Sequence, residues 1–394
     1  MKGFTNTNIY VEGKGIIKTS LEIENGKIKS IGKFKDGIEL PDNLIVVPGF
    51  IDQHIHGANH SDSMYPTKKD ILNIATSITQ DGVTGFLPTT MTQSIENINK
   101  ALENIKKYIE ANVAEGAEVL GIHLEGPFVS KKQKGAQPEE YILAADVAAF
   151  KKFEKVSGNN IKIVTMAYEE NGKELTKYLK SKKIVAALGH TDASYDVASE
   201  AVENGATLFT HCYNAMRGLH HRDAGTLGAA MLHDEAYVEL ICDLIHVSPA
   251  AIKILYKQKP KDKFILVTDS MEAKHLPDGK YQLGGQDVYV KGGAARLETG
   301  NLAGSVLKMN EAIRNCKETL EISLEEAIDF ATINPARNLN ISNKKGSIKV
   351  GKDADFAIID QDLNVYETIR AGKTIYKKQW FYKLKFLIYL KLSF

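Results

Sequence analysis

Cysteine is scarce in this chain: Cys212, Cys242 and Cys316 are the three among 394 residues. An odd, unpatterned set gives no disulfide framework and fits a reducing compartment. Neither sign of charge is in excess, with 50 Lys and Arg against 49 Asp and Glu. A global field that would gather nucleic acid or an anionic membrane is therefore lacking, and an anionic substrate must be held by a local cluster. Long apolar runs are missing as well. The N-terminus has no hydrophobic stretch of the kind a secretory leader carries. The longest apolar stretch, at the extreme C-terminus, is interrupted by Lys383, Lys385 and Lys391. It falls well short of the roughly 20 residues a spanning helix needs. Internal repeats and low-complexity segments are absent too. These absences point to a cytoplasmic protein that meets neither membrane nor nucleic acid. Its 43% apolar content is ample for a large core.

What is present is alternation. Residues 1–47 read as short strands, Ile9–Val11, Ile16–Ile23 and Lys27–Ile31, parted by Gly-containing turns. Residues 346–377 read the same way, with runs at Asp355–Ile359 and Thr374–Tyr376. Two β-rich ends predict one small β-sandwich domain, built from 1–47 and 336–378. Between them, eight apolar runs of strand length alternate with helical patterns: Ile45–Ile55, Val83–Pro88, Val119–Leu124, Ile161–Ala167, Ile184–Leu188, Thr207–Thr210, Val238–Cys242 and Phe264–Thr268. Helical periodicity marks Lys68–Thr79, Ser94–Ala111 and Ser194–Asn204, and later Ser305–Thr319 and Leu324–Thr332. Repeated βα units predict an α/β fold, a (β/α)₈ barrel over 48–335, whose catalytic groups stand at the C-terminal ends of the strands. Residues 379–394 are expected to form a separate C-terminal tail.

Those strand ends carry metal-ligand residue types. The first run ends in Asp52-Gln53-His54-Ile55-His56-Gly57, the third in His123-Leu124-Glu125-Gly126-Pro127, and the fifth in Gly189-His190-Thr191-Asp192. His211 follows the sixth, Asp243 and His246 the seventh, and Asp269 the eighth. Six of the 11 histidines fall at or just past such ends. His54 and His56 are two apart, so both rings face one way from a strand and can reach one ion; by itself, such a pair also suits a solvated loop. Glu125 closes an apolar run, where a carboxylate is costly unless paired or coordinating. One carboxylate and two imidazoles, Glu125, His190 and His211, suit Zn²⁺ or Fe²⁺. His123 is read as a residue supporting the ligands. Asp269 is suited to take a proton from a metal-activated water and pass it to a leaving amine; the competing reading is a helix N-cap.

At this point the motifs resemble a known family. Pro48-Gly49-Phe50-Ile51-Asp52-Gln53-His54-Ile55-His56-Gly57 is similar to the opening motif of the amidohydrolase superfamily. His123–Phe128, Leu188–Ala193, Thr210–Met216, Leu266–Asp269, Leu302–Ser305 and Thr332–Arg337 resemble the N-acetylglucosamine-6-phosphate deacetylases, over about residues 1–378. The resemblance implies Glu125, His190 and His211 as core metal ligands, with His54 and His56 for a second ion. It implies Asp269 as general base and acid. Ala136, Asn214, Ala215, Leu302, Ala303 and Gly304 are implied as substrate contacts. Arg222 and His246 would form a phosphate-binding pair, chemically apt as a guanidinium fork beside an imidazole. The family also implies a homodimer, in which a phosphate contact can come from the neighbouring subunit. Position 137 departs from the pattern, with Gln where many members carry His. An amide can hydrogen-bond the substrate carbonyl but cannot carry a proton. The residues after about 378 also depart from the usual family ending.

The implied reaction is hydrolysis of the acetamido group of N-acetyl-D-glucosamine 6-phosphate to D-glucosamine 6-phosphate and acetate, with one or two divalent ions. A dihydroorotase-like amidohydrolase would place a carboxylated lysine at the end of the fourth strand. Here that strand ends Thr165-Met166-Ala167-Tyr168-Glu169, and Lys162 lies at its start. A non-catalytic sugar-phosphate sensor would have lost ligands or base, and all are present.

Overall fold

The structure, a computed structural model, describes residues 1–378. The expected tail, 379–394, lies outside the described residues. Eight parallel strands form the centre: Phe50–Ile55, Val83–Pro88, Ile122–Glu125, Ile161–Met166, Val185–Leu188, Ala206–Phe209, Tyr237–Ile241 and Phe264–Val267. The third to the eighth pair in chain order as one parallel sheet, and the first pairs with the second. Two seams close the ring. Thr90 N–H donates to the His123 carbonyl at 3.0 Å, and Asp269 N–H donates to the His54 carbonyl at 2.9 Å. The helices between strands bury one apolar stripe each. Helix Ile95–Glu110 turns Ile98, Ala101, Leu102 and Ile105 inward, and Ser94 caps it by accepting from Asn97 N–H.

The strand period of two stacks the barrel interior in layers. Ile51, Leu87, Ile163, Ala187 and Leu208 form an apolar layer, which Ala336 and Leu339 close from below. Two residues further along the same strands come Gln53, Thr89, Thr165, Gly189 and Thr210, with Glu239 from the seventh strand. This upper layer is polar and crowded. A Cβ on Gly189 would lie 2.7 Å from Thr210 Cβ and 2.8 Å from Thr165 Cγ2, so only glycine fits there.

Both chain ends join one seven-stranded sheet, in the order Lys373–Lys377, Val365–Arg370, Phe356–Ile359, Ile45–Pro48, Gly3–Val11, Gly15–Glu24, Lys27–Ile31. It has its own core around Phe4, Leu21, Val46, Ile348, Phe356 and Ile358. The first long apolar run of the sequence is thus two strands. Ile45–Pro48 belongs to this sheet and Phe50–Ile55 to the barrel, and the chain turns at Gly49. Helix Ile333–Asn338, which spans the expected boundary between 335 and 336, packs under the barrel, with Asn338 donating to Gln53 Oε1 at 3.0 Å. Lys345 ties sheet to barrel: its ammonium lies 2.6 Å from Asp355, 3.1 Å from Asp353 and 2.8 Å from Glu118.

One element has no counterpart among the sequence expectations. After the eighth strand, Gly279–Leu283, Gln286–Lys291 and Ala294–Leu297 form an antiparallel three-stranded sheet. Its alternating pattern is short, and it folds against the mouth of the barrel, where Val288, Val290 and Ala295 pack on Met91, Met271 and Leu283. No helix among the described residues is long and apolar enough to cross a membrane.

The turn at Gly49 is open to test. An added Cβ would fall 2.3 Å from Thr84, a short side chain that is itself buried. Gly49→Ala is expected to destabilise the protein by about 1–3 kcal/mol through overpacking, read as a lower denaturant midpoint with an unchanged slope.

Candidate metal centre and active-site cavity

The ligand-type residues predicted from the strand ends converge. Glu125 lies at the centre. His190 Nε2 and His211 Nε2 stand 3.3 and 3.2 Å from its Oε1, and His54 Nε2 is 3.5 Å from the same oxygen. His56 Nε2 is 3.3 Å from Oε2. Asp269 faces the group from the eighth strand, with Oδ1 3.1 Å from His56 Nε2 and 3.5 Å from His54 Nε2. Among the described residues three sets have the spacing to hold an ion: Glu125, His190 and His211; His54, His56 and Asp269; and His54, His123 and Glu239.

Local backbone explains how short strands aim so many side chains at one point. His190, His211 and Asp269 all have positive φ, at 49°, 30° and 49°. Tyr213 and Ala215 follow at 77° and 46°. Such conformations are strained for residues with a Cβ and persist where the surroundings impose them. Here the imposition is visible as hydrogen bonds: Ser130 N–H to the His190 carbonyl at 2.8 Å, Ser305 N–H to the Asp269 carbonyl at 2.8 Å, and Thr191 N–H to the Ala215 carbonyl at 3.1 Å.

The protons of the imidazoles can be placed from their outer partners. His190 Nδ1 faces the Gln133 carbonyl at 2.9 Å and His56 Nδ1 the Thr89 carbonyl at 3.2 Å, so both nitrogens carry the proton. His54 Nδ1 faces Glu239 Oε2 at 3.0 Å and donates to that carboxylate. The Nε2 lone pairs therefore point inward, at the carboxylate oxygens of Glu125 and Asp269. His54 Nε2 and Glu125 Oε1 are buried with no hydrogen-bond partner, and His190 Nε2 faces His211 Nε2 at 3.2 Å. Lone pairs facing lone pairs repel unless a cation stands between them. The spacing also fits, because metal–ligand bonds of about 2.0–2.1 Å in a tetrahedron put ligand atoms about 3.3 Å apart. The donor set thus suits a divalent ion.

A proton on the rings can play the same part as a cation: burial alone would raise the Glu125 carboxyl, but a protonated His54 and N–H donation from His190 and His211 hold it well below the usual range. Burial opposes ionisation of Asp269 too, and His54 and His56 outweigh it, leaving its pKa at about 2. His123 behaves differently. Burial, with His54 beside it, pushes its pKa down to about 3. Its Nδ1 faces the Gln53 carbonyl at 3.1 Å and its Nε2 faces Thr165 Oγ1 at 2.7 Å, so both ring nitrogens are already in use.

Above the ligands opens a cavity of about 180 Å³. Of the expected substrate contacts, Ala136, Gln137, Asn214, Ala215, His246, Leu302 and Gly304 line it. Ala303 is buried behind the wall, 1% exposed. Gln137 donates from Nε2 to Glu125 Oε2 at 3.1 Å, and its Oε1 accepts from Thr92 N–H at 2.7 Å, which settles the orientation of the amide. His246 donates from Nδ1 to Asp243 Oδ2 at 2.6 Å, leaving Nε2 for a ligand. Burial would raise the Asp243 carboxyl, but His246 holds it below its usual range. Arg222 is not brought in. It is exposed, and its guanidinium donates to His221 Nε2 at 2.7 Å. Residues 165–169, at the end of the fourth strand, include no lysine, and Lys162 is exposed near the strand's start.

Glu239 escaped the sequence reading. It lies in the seventh strand, fully buried, where it accepts from His54 Nδ1 and, at 2.7 Å, from Gln53 Nε2. The signal was present as one acid inside the apolar run Tyr237-Val238-Glu239-Leu240-Ile241. Met91 and Leu283 also line the cavity, and nothing in their sequence neighbourhood marks them. Glu239→Leu strands three buried donors, Gln53 Nε2, His54 Nδ1 and the His211 N–H, each worth about 1–3 kcal/mol. Equilibrium unfolding is expected to show the larger loss for Glu239→Leu and a smaller one for Glu239→Gln, which keeps an acceptor for His54.

Comparison with known proteins agrees with this architecture. Residues 45–375 match the Amidohydrolase family. The chain is 43% identical to N-acetylglucosamine-6-phosphate deacetylase of Bacillus subtilis (strain 168), over 92% of this chain and 94% of that one. Among solved structures, N-acetylglucosamine-6-phosphate deacetylase from Thermotoga maritima superposes with a TM-score of 0.87 at 34% identity, covering 95% of this chain and 99% of that one. A mutant of the Mycobacterium smegmatis N-acetyl-D-glucosamine-6-phosphate deacetylase, solved in complex with N-acetyl-D-glucosamine-6-phosphate, gives a TM-score of 0.89 at 28% identity, covering 95% and 98%. The chain belongs to the amidohydrolase family, within the group of N-acetylglucosamine-6-phosphate deacetylases.

Proposed function

We propose that this protein hydrolyses the acetamido group of N-acetyl-D-glucosamine 6-phosphate, giving D-glucosamine 6-phosphate and acetate, a step in amino-sugar catabolism and cell-wall recycling. The observation that carries this reading is the inward convergence of imidazole lone pairs on the buried carboxylates of Glu125 and Asp269, in a cavity lined by both polar and apolar groups.

Glu125, His190 and His211 would hold one divalent ion, zinc or iron, and His54 and His56 would hold a second. A bound ion of this kind acidifies water and polarises an amide carbonyl. The rest falls to side chains. Asp269, ionised at neutral pH, takes the proton of the attacking water and returns it to the departing sugar nitrogen. Gln137 offers an N–H toward the oxygen on which charge develops. Asn214, Ala215, Ala136 and the Leu302-Ala303-Gly304 loop position the sugar. His246, backed by the Asp243 carboxylate, binds the phosphate. Arg222 stands away from the cavity of its own chain, which supports its service to a neighbouring copy in a homodimer. Three buried free thiols support a cytoplasmic setting.

The central test is acetate release by purified protein, as prepared, after chelation, and after Zn²⁺ or Fe²⁺ is restored. Release that chelation abolishes and metal restores is expected. No release under any metal, from folded protein, would overturn the reading. Asp269→Asn is expected to lose about 10²–10⁴-fold in kcat while binding metal as before; a near-normal rate would remove Asp269 from its role. Arg222→Ala is expected to raise KM for the 6-phosphate while leaving the rate on unphosphorylated N-acetylglucosamine unchanged. An equal effect on both sugars would sink the phosphate assignment.

A further inference from the structure

The cavity has two unlike sides. Asn214, Ala215 and His246 follow the sixth and seventh strands. Met91 follows the second strand, and in a ring of eight the second stands opposite the sixth. Met91 is 2% exposed and held on several sides. Its N–H contacts Met64 Sδ at 3.4 Å, and its own sulfur lies 3.7 Å from Gln137 Nε2. Gln137 in turn touches Glu125. Behind Met91 lies the tight turn of the inserted sheet. A Cβ built on Gly284 would come within 3.2 Å of the Met91 methyl carbon, and Leu283 packs beside it. Beyond the carboxylate, the cavity therefore ends in a short, solid apolar wall.

An amide carbon carries three substituents about 120° apart: oxygen, nitrogen and the acyl carbon. With the nitrogen leading to the sugar, whose phosphate end is assigned to His246 beyond the seventh strand, the acyl chain is directed to the opposite side. We infer that Met91, backed by Gly284 and Leu283, is the wall that limits the acyl group to acetyl and so sets the acyl-length specificity of the enzyme. This rests on the deacylase reading given above. A wall of this kind discriminates through steric exclusion: each further methylene must displace packed side chains, and one methylene in an apolar pocket is worth about 10–200-fold.

The test is a comparison of kcat/KM for the N-acetyl, N-propionyl and N-butyryl forms of glucosamine 6-phosphate, in wild type, Met91→Ala and Met91→Val. Wild type is expected to prefer acetyl steeply. Met91→Ala is expected to raise the butyryl-to-acetyl ratio by at least about tenfold, and Met91→Val to raise it by less. Met91→Val also reports if the smaller residue does not fold. A ratio unchanged in folded variants, or a wild type indifferent to acyl length, overturns the inference. Failure of wild type to release acetate at all instead overturns the deacetylase reading, so the two failures are separable.

Discussion

The molecule is organised around a buried carboxylate, Glu125, ringed by the imidazoles of His54, His56, His190 and His211. Glu125 ends a strand at 1% exposure, and four imidazole nitrogens face its two oxygens, three of them, on His54, His56 and His190, with lone pairs rather than protons. A carboxylate in such a place is costly in isolation. A cation between these groups would turn the same geometry from repulsive to cohesive. Each outer partner of the ring, the Gln133 carbonyl, the Thr89 carbonyl and Glu239, keeps an imidazole proton on the far nitrogen and so maintains that polarity.

Such a centre needs rigid support, and the barrel supplies it in layers. The apolar floor of Ile51, Leu87, Ile163, Ala187 and Leu208 lies directly beneath the polar layer that holds the ligands. Glu239, Gln53 and Asn338 form a hydrogen-bonded chain from His54 down toward the helix that closes the bottom of the barrel. Position at the metal centre is therefore linked to packing at the opposite end of the barrel. The strained backbone at His190, His211 and Asp269 is the local consequence: a strand must stop abruptly for its last side chain to turn inward.

In the proposed reading, the inserted three-stranded sheet would serve specificity rather than chemistry. It contributes no ligand, yet it backs Met91, contributes Leu283 to the cavity wall, and reaches Ala136 through Gln286, whose Nε2 donates to the Ala136 carbonyl at 2.5 Å. The ligand-type groups stand at strand ends, while this later excursion of the chain adds one stretch of the cavity wall, at Leu283.

By itself, the sequence determined the barrel strands to within a few residues and the ligand types at their ends. Strand period, burial and the cost of an unpaired acid in an apolar run are local properties that a linear pattern records. Glu125, His190, His211 and Asp269 were legible for that reason; Glu239, an acid inside an apolar strand, carried the same signal and was missed. Other features were decided only in three dimensions. The split of the first long run at Gly49 depends on Thr84, a residue distant in sequence. The separation of His123 from the ligands depends on Thr165 and the Gln53 carbonyl occupying its two nitrogens. Met91 and Leu283 became neighbours of the cavity because the inserted sheet folds back over the barrel mouth. Arg222 carries a charge the sequence displays, but its distance from the cavity is a property of the folded chain. The physical reason is common to all of these. A residue's type and its local period are written along the chain, whereas its partners across the barrel are set when strands distant in sequence close into one ring.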